Sequence, residues 1–223
     1  EKLTAITDSS IGGEYHRAYY YDYKGREIQR VECDFEGNIL RTTSRYDLIG
    51  NLLAQRESYT HGGTIDVLDR TFEYDSRSRM TKETAQFNDG EQAVVAYTYD
   101  ELGQLSGKMY GTGAHAIHET MDYNMQGWLS EKSSELFEMK LRYYDPEPYY
   151  GGDAYYTGNI SEWWWQHKNV NGNYDADNNT YIFHYDDLSR LNDSRLTYNE
   201  SEDITDEFVE NGITYDKNSN IIT

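Results

Sequence analysis

Apolar and polar positions alternate along this chain in short runs, and the runs are punctuated at regular intervals. Tyr19 and Tyr21, Phe72 and Tyr74, Tyr97 and Tyr99, and Phe183 and Tyr185 stand two residues apart just before a polar cluster, while Leu52, Met80, Leu105, Leu129, Leu191 and Ile221 follow just after one. A period of two places such side chains on one face of a strand. The punctuation is itself a motif: Asp or Asn is followed three residues later by Gly or Ser at Asp22/Gly25, Asp34/Gly37, Asp47/Gly50, Asp75/Ser78, Asp100/Gly103, Asn124/Gly127, Asp186/Ser189 and Asp216/Ser219. Asp or Asn opening a type I turn accepts hydrogen bonds from the amides that follow, and Gly in fourth place readily takes positive φ. Such a turn closed by a left-handed residue is a standard β-hairpin connection. Each octet of the kind "YDLIGNLL" therefore reads as a strand, a turn and the start of the returning strand, with tyrosines expected to stack across neighbours. A left-handed Ser costs about 1 kcal/mol, so the three Ser turns are expected to be looser or of another type.

With Gly37 set aside and Gly158 in "YYTGNIS" taken as a turn lacking Asp, the fourth positions 25, 50, 78, 103, 127, 158, 189 and 219 are separated by 25, 28, 25, 24, 31, 31 and 30 residues. Between them lie turns of no common sequence, around Gly37 and from Thr60, Phe87, Gly111, Asp145, Asn169 and Asn199. An antiparallel meander would set the regular turns on one edge and the variable ones on the other, with roughly 6 to 9 residues per strand and about sixteen strands. So large a sheet is expected to coil or roll. The predicted fold is all-β, an extended, twisted antiparallel sheet of repeated β-hairpins. Residues 1–18 read as an N-terminal lead-in and 19–223 as the sheet domain, with long variable loops at about 145–179.

Composition narrows the function classes. Aromatics reach 15% of 223 residues because 23 tyrosines stand beside 6 phenylalanines, so the core is expected to be built from amphipathic rings. Forty acidic residues against twenty basic ones give a net charge of −20, which repels phosphate backbones and argues against nucleic acid as a partner. No apolar run is long enough for a transmembrane helix, so no membrane insertion of that kind is expected. The opening "EKLTAITDSS" lacks the charged start and apolar stretch of a signal peptide. The single cysteine, Cys33, excludes an intrachain disulfide and an all-cysteine zinc site.

Several residues invite chemistry. Cys33 fills the slot held by Tyr before the other turns and is expected to be a packed core thiol. His115 and His118 in "HAIHE" would share a helical face, but their surroundings argue for strand, where they diverge. Asp175, Asp177 and Asn179 in "DADNN", with Asp186 further on, imitate the oxygen spacing of a calcium loop; the sixth position is Thr180 rather than Gly, which favours a solvated polar turn. No cofactor is expected, calcium there being the alternative. Trp163, Trp164 and Trp165, close to Tyr149, Tyr150 and Glu162, are the most unusual side chains. In a strand Trp163 and Trp165 share one face and Trp164 takes the other. Aromatic rings beside carboxylates suit sugar rings, whereas ordinary burial would make the same rings core. Among forty acids nothing selects the carboxylate pair that a glycosidase needs, so no enzymatic activity is expected.

The recurring Tyr-Asp-x-x-Gly-Arg/Asn-Leu, over about residues 19 to 223, resembles the YD repeat of the RHS family of bacterial surface and secreted proteins, and "GNISEWWW" resembles a repeat variant of that family. The resemblance implies a sheet that spirals into a strip, open roll or hollow shell. It also implies an extracellular or cell-surface location and roles in toxin packaging, cell-surface contact or carbohydrate binding. The chain departs from full-length members: it is too short to close a large shell, and "YYDPEPYYGG" begins like the family's Tyr-Asp-Pro stretch but lacks the following Gly-Arg-Phe and Asp-Pro, so no protease activity carries over. The last repeat closes at Ile221, which suggests a fragment or a last winding. The leading expectation is a non-catalytic structural and interaction module. The alternative is a carbohydrate-binding module using Tyr149, Tyr150, Glu162, Trp163, Trp164 and Trp165, with a glycan or cell-surface protein as partner. Unpaired edge strands would favour oligomers and the negative charge would oppose them, which leaves the oligomeric state open.

Overall fold

The computed structural model describes residues 4–10, 13–169, 173–198 and 208–222, with the side chains at 9, 10, 13 and 175–177 outside that description. Fifteen strands follow one another in the sheet in chain order. They are β1 (Ala5–Ser10), β2 (Gly13–Tyr21), β3 (Glu27–Cys33), β4 (Ile39–Tyr46), β5 (Leu52–His61), β6 (Thr64–Tyr74), β7 (Met80–Phe87), β8 (Gln92–Tyr99), β9 (Leu105–Tyr110), β10 (Ile117–Tyr123), β11 (Leu129–Ser134), β12 (Phe137–Arg142), β13 (Glu162–Lys168), β14 (Tyr174–Tyr185) and β15 (Leu191–Tyr198). A 3₁₀ turn at Gly113–His115 precedes β10. The chain divides into two compact units, residues 1–98 with 109–116 and residues 99–108 with 117–223. The all-β antiparallel hairpin sheet expected from the alternation is the fold observed.

The turns are built as their chemistry dictates. In the first unit, Ser78 N–H donates to the Asp75 carbonyl and Asp75 N–H to the Arg79 carbonyl, each at 3.0 Å. The Asp75 carboxylate accepts from the amides of Arg77 and Arg79 and from Arg79 Nε. In the second unit the Asp186 turn repeats the pattern with Ser189 and Arg190. The Ser turns are therefore neither looser nor of another type: Ser78, Ser189 and Ser219 sit at φ 60°, 61° and 64° and hold the position that Gly25, Gly50 and Gly103 hold elsewhere. The carboxylate's several simultaneous bonds over-determine the turn and offset the left-handed cost.

A tie between repeats follows from the bulge that each regular turn creates. Register slips by one just after the turn, as between Arg45 and Tyr46 against Leu52, and a bulge of this kind disrupts the ladder locally. Tyrosines further along the chain donate their hydroxyls to the carbonyl two residues after a turn's Gly or Ser, at the bulge itself where the turn joins two strands. In the first unit Tyr46 reaches Glu27 and Tyr74 reaches Leu52. In the second, Tyr123 reaches Leu105, Tyr143 reaches Leu129, Tyr185 reaches Ile160 and Tyr215 reaches Leu191. The distances run from 2.6 to 3.1 Å. The acceptor always lies two residues after the Gly or Ser of a turn, so the recurrent tyrosine contact is a hydroxyl-to-backbone bond rather than ring stacking alone.

Three expectations need correction. Among the described residues the strand count is fifteen, because the Asp216 turn carries only an isolated bridge, Tyr215 to Ile221. The stretch from Asp145 is not a variable turn of its own: residues 143–161 form one long connection between β12 and β13, and the tight turn at Ser134 to Phe137, which lacks Gly, joins β11 to β12. Much of the 145–179 region read as loop is strand, since β13 and the start of β14 lie within it. The turn expected from Asn199 lies outside the described residues, as does part of the one from Asn169.

Candidate functional site

The long connection in the second unit is where the repeat is interrupted. Register brings the relevant strand residues opposite one another: Lys140 of β12 pairs with Trp164 of β13, and Arg142 with Glu162. On the other side Trp164 pairs with Thr180 and Glu162 with Ile182 of β14. Period two separates the tryptophans as the sequence predicts. The Trp163 and Trp165 ring centres lie 4.6 Å apart with the planes tilted by 33°, and Tyr181 and Phe183 extend that aromatic row. Trp164 lies on the opposite face with Glu162.

On that face the connection folds over the strands and leaves a pocket of about 460 Å³ lined by Lys140, Arg142, Glu147, Tyr149, Tyr150, Glu162 and Trp164. The volume falls within the ordinary range of small-molecule sites. Of the six ligand candidates named from sequence, the pocket gathers Tyr149, Tyr150, Glu162 and Trp164; Trp163 and Trp165 belong to the stacked row on the other face. The Lys140 ammonium stands 5.3 Å from the centre of the Trp164 ring, a cation–π contact that fixes the indole. Arg142 pairs with the Glu147 carboxylate.

Glu162 is 1% exposed. Its Oε2 accepts from the Glu147 amide at 3.0 Å and lies 3.8 Å from Arg142 Nε. Burial pushes its carboxyl above the usual carboxylate range; the Glu147 amide and Arg142 pull the other way without reversing the shift. Its Oε1 and the nearby Ser161 Oγ are buried without a hydrogen-bond partner in the structure. Gly152 covers both: a Cβ there would stand 2.8 Å from each oxygen and 3.2 Å from Pro146. At Gly158, φ is +97° and a Cβ would meet the Trp128 ring at 3.2 Å, so glycine is needed for conformation and space together. Chemically the pocket offers aromatic faces, two cationic donors and carboxylate acceptors around one buried acid.

The remaining candidates do not converge on it. Asp175, Asp177 and Asn179 belong to β14, a strand rather than a solvated turn, and the side chains of Asp175 and Asp177 lie outside the described residues. Among the described residues no group of three or more His, Cys, Asp or Glu could hold a metal ion. His118 is in β10, but His115 closes the 3₁₀ turn instead of continuing a strand. Cys33 is half-buried rather than sealed in a core, and His16, its cross-strand partner, turns its ring nitrogens to Thr7 and Glu14. Lys140 and Arg142 were not singled out from sequence; the available signal was their alternation in "EMKLR", which acquires meaning only once register with β13 is known.

No family model and no curated protein matches this chain. Among the solved structures that share its fold are the crystal structure of TcdB2-TccC3-Cdc42, with a TM-score of 0.65 at 15% identity over 92% of this chain, and that of TcdB2-TccC3 without the hypervariable C-terminal region, with a TM-score of 0.63 at 16% identity over 93%. In each case the match spans 10% of the solved chain's length, so the chain resembles a short stretch of a much longer one.

Proposed function

We propose that this chain is a non-catalytic structural and interaction module, one stretch of a longer YD-repeat sheet of the kind found in bacterial surface and secreted proteins, working outside the cell or on its surface. The observation that carries the reading is the repeated tyrosine tie. It makes each hairpin a support for the one before it, as expected of an architecture whose stability comes from neighbour on neighbour. The TcdB2-TccC3 likeness supports it too, since nearly the whole of this chain aligns to a tenth of each solved chain. Tyr74→Phe tests the tie. Amide exchange should accelerate in the β4–β5 hairpin, where the lost acceptor Leu52 resides, as well as in β6–β7. Unchanged protection in β4–β5 would sink the reading.

A second reading is favoured by the pocket: the same module binds a carbohydrate, a pyranose face resting on Tyr149 and Trp164 while Glu147 and Arg142 meet its hydroxyls. A glycan-array screen followed by substitution tests it. Trp164→Ala should abolish binding with little change in thermal stability, and Trp165→Ala should lower stability and leave affinity unchanged in the folded fraction. An array without hits, or equal stability losses from both changes, would remove this reading and leave the first standing.

A further inference from the structure

The five most exposed large apolar side chains among the described residues, Tyr23, Leu48, Ile49, Leu102 and Met125, are between 77% and 98% exposed. All five occupy central positions of regular turns, where turn chemistry asks only for a polar or neutral residue. Exposed apolar groups gathered in this way mark contact surfaces, whereas scattered ones do not.

The turns that carry them are held rigidly. In the first unit Lys24 Nζ donates to the Leu48 carbonyl and Arg26 to the Asp47 carbonyl, which ties two successive regular turns together. In the second, Gln104 Nε2 donates to the Gly127 carbonyl at 3.2 Å. Between the Leu102 and Met125 turns lies a groove of about 350 Å³, floored by Met121 and Tyr123 and edged by Asp100 and Asp122, with no lysine or arginine in its lining. Exposed Glu101 adds to its negative rim. The first-unit turns have the opposite character: Asp22 and Asp75 are neutralised by Arg26 and Arg79, and exposed Lys24 and Arg77 outnumber the one carboxylate of these turns without an ion-pair partner among the described residues, Asp47, beside Tyr23, Leu48 and Ile49. Successive regular turns are two strands apart, roughly 9.5 Å, in either patch. Apolar tips at one spacing and basic in one patch thus match apolar tips at the same spacing and acidic in the other.

We infer that these patches form a contact between copies of this chain, the Tyr23, Leu48 and Ile49 turns of one copy seating on the Leu102–Met125 groove of a second, with Lys24 and Arg77 facing Glu101 and Asp122. The occupant is a second copy because the complementary surface, in sign and in spacing, is carried by the chain itself. Since none of these residues lines the pocket beneath the long connection, the inference is independent of carbohydrate binding.

Sedimentation equilibrium in physiological salt, up to millimolar protein, tests it with two charge-swapped chains. Lys24→Glu with Arg77→Glu turns the first patch acidic, and Glu101→Lys with Asp122→Lys turns the groove basic. The unaltered chain should self-associate, and each swapped chain alone should do so at least tenfold more weakly. An equimolar mixture of the two should regain association, because an acidic first patch then meets a basic groove. Leu102→Ser with Met125→Ser should also weaken self-association by tenfold or more, and thermal unfolding of every variant should match that of the unaltered chain. An unaltered chain that stays monomeric throughout, association indifferent to the swaps, or a mixture that does not assemble overturns the inference.

Discussion

The Asp186 turn and the long 143–161 connection both return the chain within the second unit, and they treat a carboxylate in opposite ways. Asp186 is surrounded by donors: the amides of Leu188 and Arg190 and the guanidinium of Arg190 all point at it. The Arg190 side-chain hydrogen bond, helped by the backbone amides, holds its carboxyl below the usual range despite some burial. Glu162 under the long connection has one amide donor, a distant guanidinium and an unpartnered oxygen, and burial pushes it the other way. A turn whose carboxylate is fully engaged is good at holding shape and leaves that carboxylate nothing for a ligand. Interrupting that repeat with a long connection exposes three aromatic rings and two cations around an under-satisfied acid, which is why the pocket lies there.

The largest break in this comparison should come from the residue that lets the connection lie flat. Gly152→Ala forces a methyl to within 2.8 Å of Glu162 Oε1 and Ser161 Oγ, both buried. The connection must lift, and overpacking of this kind costs about 2 kcal/mol. The matched control is Gly62→Ala in the first unit, where the added Cβ meets nothing and only the positive φ of 52° is strained, at roughly 1 kcal/mol. Denaturant midpoints of the two variants measure the difference. If Gly152→Ala proves the milder change, the connection is not seated on Glu162.

Acidity sharpens the same contrast through its sign. Glu162 has a raised folded pKa, so its contribution is present below the unfolded value and is lost as pH rises through the folded one. The turn aspartates, Asp186 among them, have lowered folded pKa values, so their contribution is present above the unfolded value and is lost as pH falls through the folded one. Unfolding free energy followed from acid to neutral pH should rise first as the turn carboxylates ionise. The gap between the unaltered chain and Glu162→Gln should then shift in favour of Gln as pH climbs past the carboxylate range, by at most about 1.4 kcal/mol per pH unit for one proton. A gap that stays constant with pH would mean that Glu162 is not desolvated.

Tyr185 joins the two kinds of connection, because its hydroxyl donates to the Ile160 carbonyl at 3.0 Å and its own amide donates to the Tyr155 hydroxyl at 3.2 Å. Tyr185→Phe should cost about 1 kcal/mol, the usual net worth of one hydrogen bond, and should raise amide exchange around residues 158–162 more than at the Asp186 turn. Faster exchange at the turn alone would show that the tyrosine supports its own hairpin rather than the connection before it.

How much of this was legible in the sequence depends on how local the physics is. The regular turns could be read because an Asp or Asn and the residue three places on decide them within five residues. The Ser134 turn could not, since it lacks the glycine that marks the other turns; Ser134 Oγ instead accepts from the amides of Leu136 and Phe137. Period two alone separates Trp164 from Trp163 and Trp165. The part played by Lys140 and Arg142 depends on the register between β12 and β13, which is set across a long connection that no short motif describes. The tyrosine ties had a signal, the constant spacing of tyrosine and turn, but the same periodicity equally suits rings stacked face to face, and only the position of the accepting carbonyl, two residues after the Gly or Ser, shows why the hydroxyl is used.

The smallest expected effect concerns the serine in the best-satisfied turn. Ser189 sits at φ 61°, where a side chain costs about 1 kcal/mol relative to glycine. Ser189→Gly removes that strain but gives the unfolded chain more conformations to lose, so the net gain should be a few tenths of a kcal/mol, well under the cost of breaking any bond to Asp186. The reading is a small rise in denaturant midpoint at constant slope. If the midpoint falls, the turn's geometry is set by the bonds to Asp186 so firmly that a left-handed serine carries no strain, and the contrast with the long connection is then wider than the dihedral angle suggests.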